Sequence, residues 1–481
     1  MSSKKESDEG PVPMMLPEDQ FFQKTGMDVT WVKNWTMTIQ PVSAPDNKNL
    51  VFMIPALSFA NYYFLQDMKI RLNVLLRDKD GEPLKTTDFI CPVNNIGSSI
   101  FEDCKMYLQE TQCSSGNNSL YPFFSYLFHM LNFSSDKKKG YLSLQGFTPD
   151  NEGDWGDLNY KTQNTGFSER RHWFGNTDSE GAFTYSDSDA WPVTFIAPIL
   201  TDFSRVQQPM IAQVGGRIEL TRSNASFYLM EKKPKSGSTF SARGAHLKIV
   251  GAELMIPVKQ MTPSLNMKIE THLSSKPIKY DTIRCDLRKY LISRGQTVFN
   301  CEDLKTSQVS PDRMFFMLIP DYKINGLNGF NPFEFSNRIR SEADTTSGTP
   351  TNDSYLQSMR LTINNESLES FESATVYDTA FRKYMETNDV LGFTRTSDSS
   401  ISFRPNDFFS AKFVMAYDLT ASKCSSAYGA NMRGSSKDGA LKLEMRFSKE
   451  LPCSVWLLCL SEYHSSITID KNRNVVYNYF S

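Results

Sequence analysis

Apolar side chains recur at every second position through much of this chain. In MKIRLNVLLRDKDGEPL, Met68, Ile70, Leu72, Val74 and Leu76 point one way before Asp78-Lys79-Asp80-Gly81 supplies a turn. Successive side chains of extended backbone leave on opposite sides, so this period predicts a strand buried on one face. RIELTRSNASFYLM repeats the device with Ile218 and Leu220, a polar break, then Phe227 and Leu229. MRLTINNESL alternates at Met359, Leu361 and Ile363 before an Asn-Asn turn, and LKLEMRF alternates at Leu441, Leu443, Met445 and Phe447. The closing VWLLCLSEYHSSITIDKNRNVVYNYFS starts as a near-continuous apolar run, the pattern of a strand covered on both faces. It ends as a hairpin, with Ile467 and Ile469, the polar Lys471–Asn474, then Val475, Tyr477 and Tyr479. Such strands between Gly, Asn and Asp turns predict antiparallel sandwiches or barrels rather than βαβ units.

Helical spacing is scarce. LYPFFSYLFHMLNF predicts a short helix with Pro122 in its first turn and Phe124, Leu127, Phe128 and Leu131 on one face. SATVYDTAFRKYME predicts a second, with Val376, Phe381 and Tyr384 as its stripe. Polar stretches at about 134–190, 340–356 and 421–438 read as loop excursions from the sheets. The first is too long for a structureless loop, so it should hold structure of its own.

A chain of 481 residues exceeds one average domain. The charged, Pro- and Gly-containing EKKPKSGSTFSARG, Glu231–Gly244, is the expected boundary. The strand, Arg, turn and apolar strand before it match in pattern LKLEMRFSKELPCSVWLLCL near the end, which suggests two copies of one β-rich unit. The expected division is an arm over 1–25, a first unit over 26–235 and a second over 236–481.

Hydrophobic content of 40% and charged content of 22% suit a chain with a sizeable core, and a net charge of −2 argues against a surface devoted to nucleic acid. No stretch reaches the ~18–20 apolar residues of a membrane span. The arm has lysines but no apolar run after them, so it does not read as a secretory signal. The eight cysteines form no Cys-x-x-Cys pair and are expected as reduced thiols.

Candidate chemistry is thin. His129, His172, His246, His272 and His464 are all more than four residues apart, so no His-x-His metal pair exists. Gly-x-Ser-x-Gly and P-loop patterns are absent, and Gly215-Gly216 precedes a strand, so it reads as a turn. Lys137-Lys138-Lys139 reads as a solvated loop tip. No residue is assigned a catalytic, cofactor-binding or metal-ligating role, and no cofactor is implied. The weight falls on a protein whose product is shape. Two alternatives stay open: a tandem carbohydrate-recognising sandwich with Trp155, Trp173 and Trp191 as stacking platforms, and a β-scaffold hydrolase using paired carboxylates.

Four stretches in order resemble one family. They are YPFFSYLFHMLNFSSDKKKGYLSLQGFTPD, APILTDFSRVQQPMIAQVGGRIELTRSNASFYLM, VSPDRMFFMLIPDYKINGLNGFNPFEF and LLCLSEYHSSITIDKNRNVVYNY. Together the set is similar to the major capsid protein of Polinton/Maverick virus-like DNA transposons and related adintoviruses. The resemblance implies an all-β double jelly roll: two tandem eight-stranded antiparallel sandwiches with few short helices and long inserted loops. It implies a structural protein, not an enzyme, that forms homotrimeric, pseudo-hexameric capsomers of an icosahedral shell around DNA. Expected partners are neighbouring capsomers and penton and minor capsid proteins, with packaged DNA met only indirectly. The expected location is the virion, after assembly in host cytoplasm or nucleus.

Overall fold

The structure is a computed structural model. It describes residues 30–478 apart from 86–87, 115–118, 149, 151–164, 178–182, 187–191, 232–243, 303, 305–309, 325–329, 343–352, 373–375, 396–404, 406–407, 409–410 and 421–438. The expected arm and the 421–438 loop therefore lie outside the described residues.

Two sandwiches follow one another. The first uses β1 (Trp31–Ile39), β2 (Asn49–Ile54), β3 (Lys69–Arg77), β4 (Phe101–Leu108), β5 (Thr111–Gln112), β6 (Val193–Pro198), β7 (Gly216–Arg222) and β8 (His246–Met261). Its sheets run β1-β8-β3-β6 and β2-β7-β4-β5. The second uses β9 (Ile278–Ile292), β10 (Val298–Cys301), β11 (Arg313–Pro320), β12 (Ser354–Ile363), β13 (Glu366–Glu372), β14 (Met415–Asp418), β15 (Leu441–Phe447) and β16 (Val455–Ile469). Its sheets run β9-β16-β11-β14 and β10-β15-β12-β13. Apart from the short strands Asn61–Tyr63, Arg338–Ile339 and Val475–Asn478, which pair with β8, β12 and β16, adding eight to each strand number of the first sandwich gives the second. The chain is a double jelly roll.

The two-residue period becomes the two faces of these sheets. Ile70, Leu72, Val74 and Leu76 of β3 are buried, as are Leu441, Leu443, Met445 and Phe447 of β15. The Asn364-Asn365 turn between β12 and β13 has φ of 49° and 67°, the left-handed pair that an antiparallel hairpin with right-handed twist requires. Gly216 opens β7 where a Cβ would stand 2.2 Å from the Tyr107 carbonyl oxygen, so only glycine lets β7 lie this close to β4.

The expected division at 235/236 is corrected. β8 follows Glu231–Gly244, yet it pairs with β1 and β3 over most of its length. A jelly roll closes by placing its last strand beside its first, so the polar segment falls inside the first sandwich. RIELTRSNASFYLM is not a hairpin either: Ala225–Tyr228 is a helical turn, and Leu229–Glu231 pairs with Ile90–Pro92. The internal likeness survives in part, since β7 and β15 are both seventh strands.

Four helices of eight or more residues stand among the described residues: α1 (Tyr121–Asn132), α2 (Thr165–His172), α3 (Pro263–Ser275) and α4 (Val376–Leu391). α1 is buried on all sides rather than one. α3 was not expected; it starts at Pro263, joins the two sandwiches, and carries the helically spaced Leu265, Ile269 and Leu273. On α4 the expected stripe is corrected at Phe381, which is 49% exposed; Tyr384 packs edge-on against Phe408 at 5.5 Å as expected, and Lys383, Thr387 and Asn388 are buried. The 134–190 excursion does hold structure, including α2 and a ribbon of Gly175–Thr177 with Phe183–Tyr185. The 340–356 excursion ends early, because β12 begins at Ser354.

Candidate functional site: the junction between the sandwiches

The densest buried polar chemistry lies where the two jelly rolls meet. β16 is flanked by β9 along its whole length, by β11 over Val455–Glu462, and by Val475–Asn478 over Ser466–Ile469. Its second half runs past the end of β11, and at Glu462 it meets Arg205 of the turn Asp202–Arg205 in the first sandwich.

Glu462 is the charged residue in that run and is 3% exposed. Arg205, from the first sandwich, donates from Nη2 to its Oε1 at 2.7 Å. Arg313, directly opposite on β11, donates from Nε to Oε2 at 2.8 Å and places Nη2 2.6 Å from the same oxygen. Burial by itself would raise the Glu462 carboxyl, but the two guanidiniums overcome it and hold the group down at about 2. A buried carboxylate shared by two arginines stays ionised because each partner compensates its lost hydration.

Further bonds cross the same seam. The Tyr477 hydroxyl donates to Asp202 Oδ2. Tyr280 OH accepts from the Ile211 amide at 3.0 Å and donates to the Pro209 carbonyl at 3.1 Å. Thr111 donates to the Val475 carbonyl at 2.9 Å. Arg473 donates to the Ala212 carbonyl at 2.9 Å and to both oxygens of Glu270 on α3, at 2.7 and 2.9 Å.

A second contact is aromatic. Tyr126 of α1 stacks on Phe333 with centroids 4.2 Å apart and planes 9° from parallel, and Phe123 meets the same ring edge-on at 5.7 Å. Lys412 donates to Tyr126 OH and, at 3.0 Å, to the Phe333 carbonyl. Burial lowers the Lys412 ammonium to about 8. Beside it Asp150 accepts from Arg170 at 2.8 Å and from Asn331 of the second sandwich at 2.9 Å. Both contacts couple charge or ring stacking to desolvation, so they fix the relative placement of the sandwiches as well as their adhesion.

The residues singled out from sequence scatter. His129 is fully buried on α1, where burial drives its imidazole down to about 3. His464 lies 3.9 Å from Asp312, while His172, His246 and His272 sit on α2, β8 and α3. Among the described residues no three His, Cys, Asp or Glu gather as metal ligands would. Lys137–Lys139 is corrected: it belongs to a short helix, and Lys138 is buried with its ammonium 2.6 Å from the Met130 carbonyl. Trp155 and Trp191 lie outside the described residues, and Trp173 is half-buried and packs edge-on against Phe195 at 5.4 Å. Of the carboxylates, Glu372 and Glu444 share a 260 Å³ groove with Arg360, Arg382 and Arg446, and Glu444 accepts two bonds from Arg446. No helix of the described residues is long and apolar enough to cross a membrane. Sequence reasoning missed Glu462, Arg205 and Arg313; the one signal was a carboxylate in an otherwise apolar and hydroxylic strand.

No protein-family model and no curated protein matches the sequence. Solved structures do match the fold. A chain from the cryo-EM structure of the Sputnik virophage superposes with a TM-score of 0.58 at 10% identity, covering 98% of this chain and 94% of that one. A chain of the PBCV-1 virus capsid gives 0.56 at 8% identity, covering 96% and 100%. The Faustovirus major capsid protein gives 0.54 at 10% identity, covering 94% and 92%. They share its fold. At these identities the likeness is one of architecture, and it extends over almost the whole of each chain.

Proposed function

We propose that this chain is the major capsid protein of an icosahedral virus or virus-like element of the Polinton/Maverick and adintovirus kind. It acts by shape and catalyses nothing. Three copies associate into a capsomer with a pseudo-hexagonal outline, since two like sandwiches per chain let a threefold assembly present six similar sides. Capsomers tile a shell around a DNA genome, meeting each other, penton and minor capsid proteins, and DNA only indirectly. The finished protein resides in the virion, assembled in the host cytoplasm or nucleus.

The observation that carries this reading is the repeat of one strand order in two sandwiches locked by a buried junction. A tile must hold its two halves at a constant angle, and the Arg205–Glu462–Arg313 triad with the Tyr126–Phe333 stack does so. Shell proteins from the Faustovirus and PBCV-1 capsids have the same architecture. The test is sedimentation of the purified chain at micromolar concentration, followed by negative-stain microscopy. The expected species has three times the 54.8 kDa chain mass and a six-sided outline. A stable monomer at that concentration would sink the proposal.

A further inference from the structure

A groove of 330 Å³ runs between α3 and the start of β9. Tyr62, Pro209, Ile211, Met261, Ile269 and Ile278 give it apolar walls. Lys268 and Lys279 stand among its lining residues, and Lys279 also lies 3.0 Å from Asp281. The groove touches both sandwiches and the helix that joins them, so whatever fills it adds to the junction.

The described chain begins beside this groove. The Thr30 carbonyl accepts from the Thr262 amide at 3.1 Å, and Trp31 pairs with Met261, which is itself a wall. Residue 30, to which residues 1–29 are joined, therefore lies at the first turn of α3. Their sequence contains one apolar cluster with acids behind it, PVPMMLPEDQFF over 11–22.

We propose that Met14, Met15 and Leu16 of the same chain occupy this groove, with Glu18 and Asp19 facing Lys268 and Lys279. Reach is ample: from Thr30 back to Leu16 an extended chain spans up to ~45 Å, at about 3.3 Å per residue. From Thr262 to His272, α3 is only ~15 Å long, at 1.5 Å per residue. The chemistry agrees at both ends. Methionine is flexible and fills irregular apolar grooves, and a Pro on each side of Met-Met-Leu narrows the backbone angles open to the unbound chain, which limits the entropy lost on docking. The acids follow the apolar cluster directly, where lysines stand among the groove residues. The docked arm would brace the seam from outside, a role independent of whether the chain builds a shell.

Hydrogen exchange read by mass spectrometry tests this on the full chain, on a chain lacking residues 2–25, and on Met14→Asp/Leu16→Asp, which keeps the arm's length. Peptides covering 262–283 are expected to exchange about threefold or more faster in both variants, while β11 peptides stay unchanged as the sign of an intact fold. Ile269→Glu, on the groove wall, is expected to do the same and to speed trypsin cleavage at Lys24. Equal exchange in the full chain and Met14→Asp/Leu16→Asp overturns the proposal. So does protection that falls on dilution, which would assign the groove to a second copy's arm.

Discussion

Replacing Glu462 by Gln removes the negative charge of the seam and leaves Arg205 and Arg313 facing a neutral amide. Two routes give the magnitude. The carboxyl is held at about 2 against an ordinary 4.5, and at 1.36 kcal/mol per pKa unit that gap corresponds to about 3 kcal/mol of stability at neutral pH. Removing one partner of a buried, hydrogen-bonded ion pair independently costs ~3–5 kcal/mol. Because the folded state lowers this pKa, its contribution is complete above the unfolded value near 4.5. It disappears as pH falls from there to about 2. Urea unfolding of wild type, Glu462→Gln, Arg205→Met and the double variant at pH 7 reads the first quantity and the Arg205 coupling. The same comparison of wild type with Glu462→Gln between pH 5 and pH 2.5 reads the second: the gap between the two curves should narrow as pH falls. A loss below about 1 kcal/mol at pH 7, or a gap independent of pH, refutes the account of the triad.

Three further outcomes are expected. Phe333→Ala removes a fully buried ring that stacks on Tyr126 and meets Phe123 and Phe227; the loss should be ~3–5 kcal/mol by denaturant unfolding. Burial lowers the Lys138 ammonium to about 7, so its charge opposes folding below that pH, and the penalty fades as pH rises from 7 toward the unfolded value. Lys138→Met should be neutral or stabilising by ~1–3 kcal/mol at pH 6, with the advantage shrinking by pH 9; a less stable variant at pH 6 counts against this. Asn365→Gly puts the residue with no Cβ penalty at φ of 67° in the β12–β13 turn, and should raise stability by about 0.5–1 kcal/mol in thermal unfolding.

The neighbours of each strand are less legible than the strand itself. Whether residues 441–447 alternate is a property of seven side chains. Whether β15 lies beside β12 depends on a partner almost eighty residues earlier. The same division explains the candidate site. Lys138 sits in an open run of three lysines, and nothing local distinguishes the one whose ammonium meets the Met130 carbonyl. Glu462 is an acid within an apolar strand, a signal the sequence does offer, but its two arginines lie 149 and 257 residues away.

The sequence by itself determined that this is a β protein of two like parts, which side of most strands is buried, and where the tight turns fall. Those are short-range consequences of backbone period and of residues such as Asn364 and Asn365 that accept positive φ. Only the tertiary structure decided that the strand after Glu231–Gly244 closes the first sandwich. Only it decided that α3 bridges the two, and that the acid in the strand near the end of the chain meets an arginine of the other half of the molecule. Pairing Trp31 with Met261 closes a loop of more than two hundred residues. Hydrogen bonds and burial reward such closure only once the whole sheet is in register, so no window of sequence contains it.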